Sequence, residues 1–285
     1  MTTRRDTQKE TVSLEVDGVA FKVAAIRRHG ELAPIVFLHG FGSTKEDYAD
    51  VALERAFSTR PFLAYDAPGC GETACGDLRR VSIPFLVETA KKMLAHAGID
   101  RFHLVGHSMG GLTALMLASD LRDRVLSFID IEGNIAPEDC FLSRQIVDHP
   151  ADDPQAFFND FIERNWHSAQ YSSPLYAASL RHKVRSQAVP GIFRSMVHLS
   201  DHGDLMTRFL SLPFPRMFMY GEQNCHLTYL PLLASSGVEL AEISHSGHFP
   251  MYSNPVEMWR RIGEFLGRVE RGRDCATMKT PLTPV

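Results

Sequence analysis

Ile35-Val36-Phe37-Leu38 is apolar at every position and runs directly into His39-Gly40-Phe41-Gly42. A short, wholly apolar run closed by glycines suits a strand covered on both faces, as in a parallel sheet flanked by helices. The pattern recurs along the first half of the chain. Further strands are predicted at residues 12–16, 19–26, 62–65, 103–105 and 125–131, with helices at 45–55, 83–97 and 109–119. In the helix at 83–97, Leu86, Ala90, Met93, Leu94 and Ala97 fall at helical spacing and Gly98 follows as a stop. Such alternation specifies an α/β fold with a mostly parallel central sheet flanked by helices.

After Ile131 the alternation stops. Residues 134–212 read as helices and loops, with one apolar stripe at Phe157, Phe158, Phe161 and Ile162 and another at Ile192, Met196 and Leu199. Strands resume at 217–220 and 238–243, and a closing helix follows Pro255. The expected organisation is an α/β core over 1–133 and 213–270, a helical cap over 134–212, and a mobile C-terminal tail over 271–285, charged and then rich in Thr and Pro. In the cap, Trp166, Tyr171, Tyr176, Phe193 and Met196 are candidates for an apolar pocket, although half or more of such residues belong to a cap's own core.

Composition narrows the function. Hydrophobic residues make up 44% of the 285 and charged ones 22%, enough to bury a sizeable core. The net charge is −4, with no dense basic stripe, which argues against nucleic acid as a partner. The longest stretch without charged residues, 102–119, contains His103, His107, Ser108 and glycines, poor chemistry for a membrane span. The start of the chain carries Arg4, Arg5, Asp6, Lys9 and Glu10 without an apolar segment behind them, so no signal peptide is expected. Five scattered cysteines suggest reduced thiols in a cytoplasm, Cys70 with Cys75 being the one close pair. The thirteen histidines suggest no metal site, and the loop around Gly69 and Gly71 lacks the lysine and register of a nucleotide cradle. Nothing in the sequence specifies an oligomer.

The chemistry concentrates at Gly106-His107-Ser108-Met109-Gly110-Gly111, between a predicted strand and a predicted helix. That is the context of a G-x-S-x-G nucleophile elbow, in which a sharp turn lifts the serine oxygen clear of the sheet. The plainer alternative is a glycine-rich turn with a helix-capping serine. The loop at His39-Gly40-Phe41-Gly42 favours the elbow, because the Phe41 N–H and the Met109 N–H can converge above Ser108 as an oxyanion hole. A base is available in Ser244-His245-Ser246-Gly247-His248-Phe249-Pro250, directly after the last predicted strand.

With these motifs, Asp66-Ala67-Pro68-Gly69-Cys70-Gly71 and Asn254-Pro255, the chain resembles the α/β-hydrolase superfamily over about residues 33–266. The resemblance implies the α/β-hydrolase fold, a serine nucleophile at Ser108 and a base at His248, with His245 as fallback. It gives Asp66 a structural role at its turn. It also exposes a departure. Where most similar members carry an Asp after the seventh strand, this chain has Gly221-Glu222-Gln223-Asn224, a neutral amide at 224. The family's other location for the acid is the end of the sixth strand, here Ile129-Asp130-Ile131-Glu132-Gly133. Strand alternation puts Asp130 and Glu132 on one face. Glu132 is preferred because it lies at the strand end, at a distance from Ser108 like that in such members; Asp130 comes second and Glu222 third. A Ser108–His248–Glu132 triad needs no cofactor. The expected substrate is a small or medium, partly apolar carboxylic ester or lactone. Carbon–carbon hydrolase or thioesterase chemistry on the same triad is the alternative, and a hydrolase-like ligand-binding protein with little turnover is the rival from another class. Members that open haloalkanes or epoxides use an Asp at the elbow, so Ser108 disfavours both.

Overall fold

The computed structural model describes residues 7–145 and 153–277. Eight main strands form one sheet: β1 (Gln8–Val16), β2 (Val19–Arg28), β3 (Ile35–Leu38), β4 (Phe62–Tyr65), β5 (Phe102–His107), β6 (Val125–Ile131), β7 (Arg216–Gly221) and β8 (Glu239–Ile243). Their spatial order is β1-β2-β4-β3-β5-β6-β7-β8. β2 runs antiparallel to β1 and β4, and every later pairing is parallel. Every residue of β3, β4, β5 and β6 is buried, as two-sided coverage requires. The helices α1 (Ile83–His96) and α2 (Met109–Asp120) stand where helical spacing predicts them.

Register, rather than any one loop, gathers the functional segments. Leu38 of β3 pairs with Gly106 of β5, and His107 pairs with Ile131 of β6. Ile131 pairs in turn with Met219 of β7, whose Gly221 pairs with Ile243 of β8. The loops that follow these strands therefore leave the sheet side by side at its carboxyl edge, where open parallel sheets bind ligands.

Between β6 and β7 lie α3 (Pro154–Trp166), α4 (Ser173–Lys183), α5 (Val189–His202) and α6 (Leu205–Leu210). The Phe157, Phe158, Phe161 and Ile162 stripe is buried, as are Ile192 and Met196 of the second. The insertion packs on the core through Phe41, whose ring lies 4.7 Å from Phe193 and 6.0 Å from Phe161. Backbone bonds from Gly71 N–H to the Lys183 carbonyl (2.8 Å) and from Arg185 N–H to that of Gly69 (2.9 Å) lace it to the loop after β4.

Three expectations need correction. The helix predicted at 45–55 is two 3₁₀ segments, Lys45–Ala52 and Arg55–Phe57. Its anchors Lys45, Tyr48 and Val51 are buried every third residue, a 3₁₀ period, and the Lys45 ammonium is held by Asp66 at 2.9 Å. A two-residue strand, Ala74–Cys75, pairs with β2 and is too short for periodicity to reveal. Finally, after the short α7 (Leu230–Ser235) and α8 (Pro250–Ser253), the closing helix α9 (Pro255–Thr277) runs into the segment expected as a tail. Its last turns carry arginines and acidic residues, which sustain an exposed helix as well as a loop; the rest of that segment lies outside the described residues. Cys70, Cys75, Cys140 and Cys225 are free thiols. Among the described residues no helix is long and apolar enough to cross a membrane.

Glu270 fastens α9 to the amino edge of the sheet. It pairs with Arg60 at 2.6 Å and lies 3.6 Å from His103. The His103 imidazole and the Arg60 guanidinium hold its carboxyl down at about 2, against an ordinary 4.5. A depressed acid contributes stability that is present above its unfolded value and lost as pH falls through the folded one. Because Glu270 is part-exposed, screening reduces the contribution to about 1 kcal/mol. Glu270→Gln should therefore lower the urea midpoint at pH 7, with the deficit closing between pH 4.5 and 2. Equal midpoints at pH 7 would exclude this role.

Candidate active site

β5 turns into α2 through Ser108, whose φ is +51°. A side chain in that region is strained and persists only where its surroundings demand it. Here the turn is clamped on both sides: Ser108 N–H donates to the Ile131 carbonyl, and the Ser108 carbonyl accepts from Leu112 N–H, both at 3.0 Å. The flanking glycines are required by close approach. A Cβ on Gly106 would stand 2.6 Å from the Gly110 carbonyl oxygen, and one on Gly110 would stand 2.1 Å from that of Leu38.

Ser108 Oγ lies 2.9 Å from His248 Nε2, and His248 Nδ1 lies 2.7 Å from Glu132 Oε2. The side chains of Glu132 and His248 are 5% and 13% exposed, so this line runs out of bulk water. The other Glu132 oxygen, Oε1, accepts the Gly221 N–H at 2.7 Å. Asn224, in the position of the more common acid, donates its amide to both Glu132 oxygens, at 2.9 and 2.7 Å.

The two alternative acids stand elsewhere. Asp130 is fully buried; it accepts the Gly133 N–H at 3.0 Å and lies against Gly111 and Gly133. Burial pushes its carboxyl well above the ordinary range. The alternation argument fails here because Glu132 is no longer strand: its φ is +47°, and the turn carries its carboxylate toward the loop after β8. Glu222 faces His245, 3.8 Å away on an exposed ring, and not His248.

Sequence reasoning passed over His107. Its Nε2–H donates to the His248 carbonyl at 2.8 Å, tying the elbow to the loop that carries His248. Burial, reinforced by the neighbouring His248, pushes this imidazole well below its ordinary range, so it stays neutral. His39 does similar work on the other side: Nδ1–H donates to the Gly40 carbonyl at 2.8 Å while Nε2 accepts the Ala67 N–H at 2.9 Å. The Met109 N–H is the first of α2. Among the described residues neither it nor the Phe41 N–H finds an acceptor in the protein.

The cavity directly over Ser108 is small, about 30 Å³, with Phe41, Phe161, Tyr176, Phe193, Met196 and Phe249 among its walls. Trp166 and Tyr171, expected as pocket candidates, are instead half-exposed at the surface. A wider cleft of about 500 Å³ opens beside Glu132, Asn224 and His248. Asp139 borders both spaces. It accepts from the Ile135 and Ala136 amides and from the Tyr229 hydroxyl, yet burial still pushes its carboxyl up to about 6. His198 and His202 stand one turn apart on an exposed face of α5, ring centroids 5.2 Å apart, a His-x-x-x-His spacing that the sequence reading overlooked. A third ligand is missing: among the described residues no group of three or more His, Cys, Asp or Glu is placed to hold a metal ion.

A model of the alpha/beta hydrolase family matches residues 35–261, most of the chain. The chain belongs to the alpha/beta hydrolase family. A relative called putative esterase/lipase 2, from Mycoplasma pneumoniae, is 23% identical over 263 residues, covering 88% of this chain and 96% of its own. The pimeloyl-[acyl-carrier protein] methyl ester esterase of Aeromonas hydrophila is 26% identical over 263 residues, covering 85% and 99%. Among solved structures, a carboxylesterase of Nitrososphaera gargenis superimposes with a TM-score of 0.71 at 16% identity, over 92% of this chain and 100% of that one. An N-acyl homoserine lactonase complexed with N-hexanoyl homoserine gives 0.69 at 15% identity, over 97% and 100%. These two superpositions speak to the fold.

Proposed function

We propose that this hydrolase cleaves a small or medium, partly apolar carboxylic ester or lactone through an acyl-enzyme on Ser108. The observation that carries the reading is the buried hydrogen-bonded line from Ser108 Oγ through His248 to Glu132, with 2.9 and 2.7 Å links. Such a line has the chemistry of a triad. His248 Nε2 takes the Ser108 proton as Oγ bonds to the substrate carbonyl carbon, and the carbonyl oxygen becomes an oxyanion received by the Phe41 and Met109 amides. The tetrahedral species expels the alcohol, which receives the proton from His248. Water then repeats the sequence, releasing the acid and restoring Ser108. Glu132 fixes the tautomer that leaves Nε2 free to accept, and stabilises the imidazolium that forms.

The helical insertion acts as a cap in this proposal. About 30 Å³ over Ser108 holds a water or two and no ester, so its aromatic side chains must move aside to admit substrate. Their apolar character suits an apolar acyl or alcohol group, and two relatives named as esterases support ester chemistry. Free thiols at Cys70, Cys75, Cys140 and Cys225 accord with a cytoplasmic enzyme.

Stoichiometric labelling of Ser108 by a fluorophosphonate, followed by rates on aryl esters, lactones, thioesters and vinylogous diketones, tests the reading. Turnover confined to diketones would move the protein to carbon–carbon hydrolysis. Tight ligand binding without labelling would make it a binding protein. The two loop histidines are separable as well. His248→Ala should lose about six powers of ten in turnover, as losing the nucleophile does, whereas His245→Ala, on an exposed ring beside Glu222, should stay within about threefold of wild type. The reverse ranking would move the base to His245.

A further inference from the structure

The amide at 224 is more than a lost acid. Its Nδ2 bridges the two Glu132 oxygens at 2.9 and 2.7 Å. With the Gly221 N–H on Oε1 and His248 on Oε2, both at 2.7 Å, donors surround a buried carboxylate. Glu132 itself sits on a left-handed backbone, anchored by its N–H to the Met219 carbonyl at 3.0 Å. A long side chain leaving a turn has several rotamers, and here Gly221 at the end of β7 and Asn224 just beyond it hold the one that faces His248. Asparagine is well suited to this, since it offers hydrogens to a carboxylate and brings no charge of its own.

We propose that Asn224 is the positioning residue that holds the Glu132 carboxylate on His248 Nδ1, so that an acid at 132 and an acid at 224 exclude one another. The proposal rests on the serine-hydrolase reading above. Its logic is that an ionised aspartate at 224 would replace the donor with acceptors and set two carboxylates about 3 Å apart, where their repulsion raises the pH at which both ionise. A protonated aspartic acid, in contrast, is nearly isosteric with asparagine and restores a donor toward Glu132.

The test is the pH dependence of kcat and KM on p-nitrophenyl butyrate for wild type, Asn224→Ala and Asn224→Asp. Asn224→Ala should lower kcat roughly 10- to 100-fold, as loosening a catalytic group by about 1 Å does, with KM changed less than about twofold. For Asn224→Asp, activity relative to wild type should rise as pH falls, because protonation rebuilds the donor. A purely structural contact would not give that slope. An Asn224→Ala variant within about twofold of wild-type kcat would overturn the proposal. So would an Asn224→Asp variant whose relative activity is flat or rises with pH, since the introduced carboxylate would then itself be serving His248. The downfield proton resonance of the His248 Nδ1–H···Glu132 bond separates this from failure of the functional reading. An inert wild type that Ser108-directed reagents do not label would refute the enzyme. The same resonance left unmoved by Asn224→Ala would refute the positioning role, whatever the turnover.

Discussion

Ser108→Ala is expected to lose turnover by a factor on the order of 10⁶, because members of a nucleophile–base–acid unit fail together when one is removed. Folding should be unaffected within about 0.5 kcal/mol. The strain at φ +51° belongs to the Cβ, which alanine keeps, and the clamping bonds to Ile131 and Leu112 are made by backbone atoms. Ser108→Gly separates the two properties: equally inactive, it should raise stability by about 1 kcal/mol, since glycine adopts positive φ without strain. The measurement is initial rate on an aryl ester beside a urea melt of each variant. A purified alanine variant that kept a tenth of wild-type activity would remove Ser108 from the chemistry.

The sheet and the elbow were legible because their signals are local. Ile35–Leu38 and Val125–Ile131 are buried along their whole length, and such strands announce themselves as unbroken apolar runs. The G-x-S-x-G turn is likewise local, its glycines answering contacts within a few residues and with the adjacent strand. Glu132 could be named but not separated from Asp130 by alternation, because the left-handed turn after Ile131 leaves no mark in a period-two pattern. The donation from Asn224 crosses 92 positions of sequence, and the His107 bond crosses 141. Periodicity carries nothing over such distances; strand register does, by bringing the ends of β5, β6 and β7 together. The 3₁₀ segment at Lys45–Ala52 was missed for another reason. A buried ammonium paired with Asp66 sets its period, and hydrophobic spacing does not register a charged anchor.

Glu132→Gln should lower turnover by on the order of 10⁴, the loss expected when an amide replaces the carboxylate of a triad. The geometry explains why so small a change costs so much. Three groups donate toward position 132: the Gly221 N–H, the Asn224 amide and His248 Nδ1–H. Glutamine offers one accepting oxygen and one NH₂, so at least one of these donors faces another donor. If the NH₂ meets His248, the ring adopts the tautomer with its proton on Nε2 and cannot take the proton of Ser108. If the oxygen meets His248, the tautomer survives but the imidazolium loses its counter-charge. Asp130→Asn is the control. That carboxyl is pushed well above the ordinary range by burial, faces Gly133 and Gly111, and an amide mimics its protonated form, so turnover should stay within about threefold. Adding Asn224→Asp to Glu132→Gln returns an acid to the β7 loop and places it beside a side chain that now has hydrogens to give. Partial recovery there, without recovery in Asn224→Asp alone, would mean that His248 accepts a carboxylate from either strand end provided only one is present. Near-wild-type turnover by the single Glu132→Gln variant would instead strip Glu132 of its role, and with it the reason for an amide at 224.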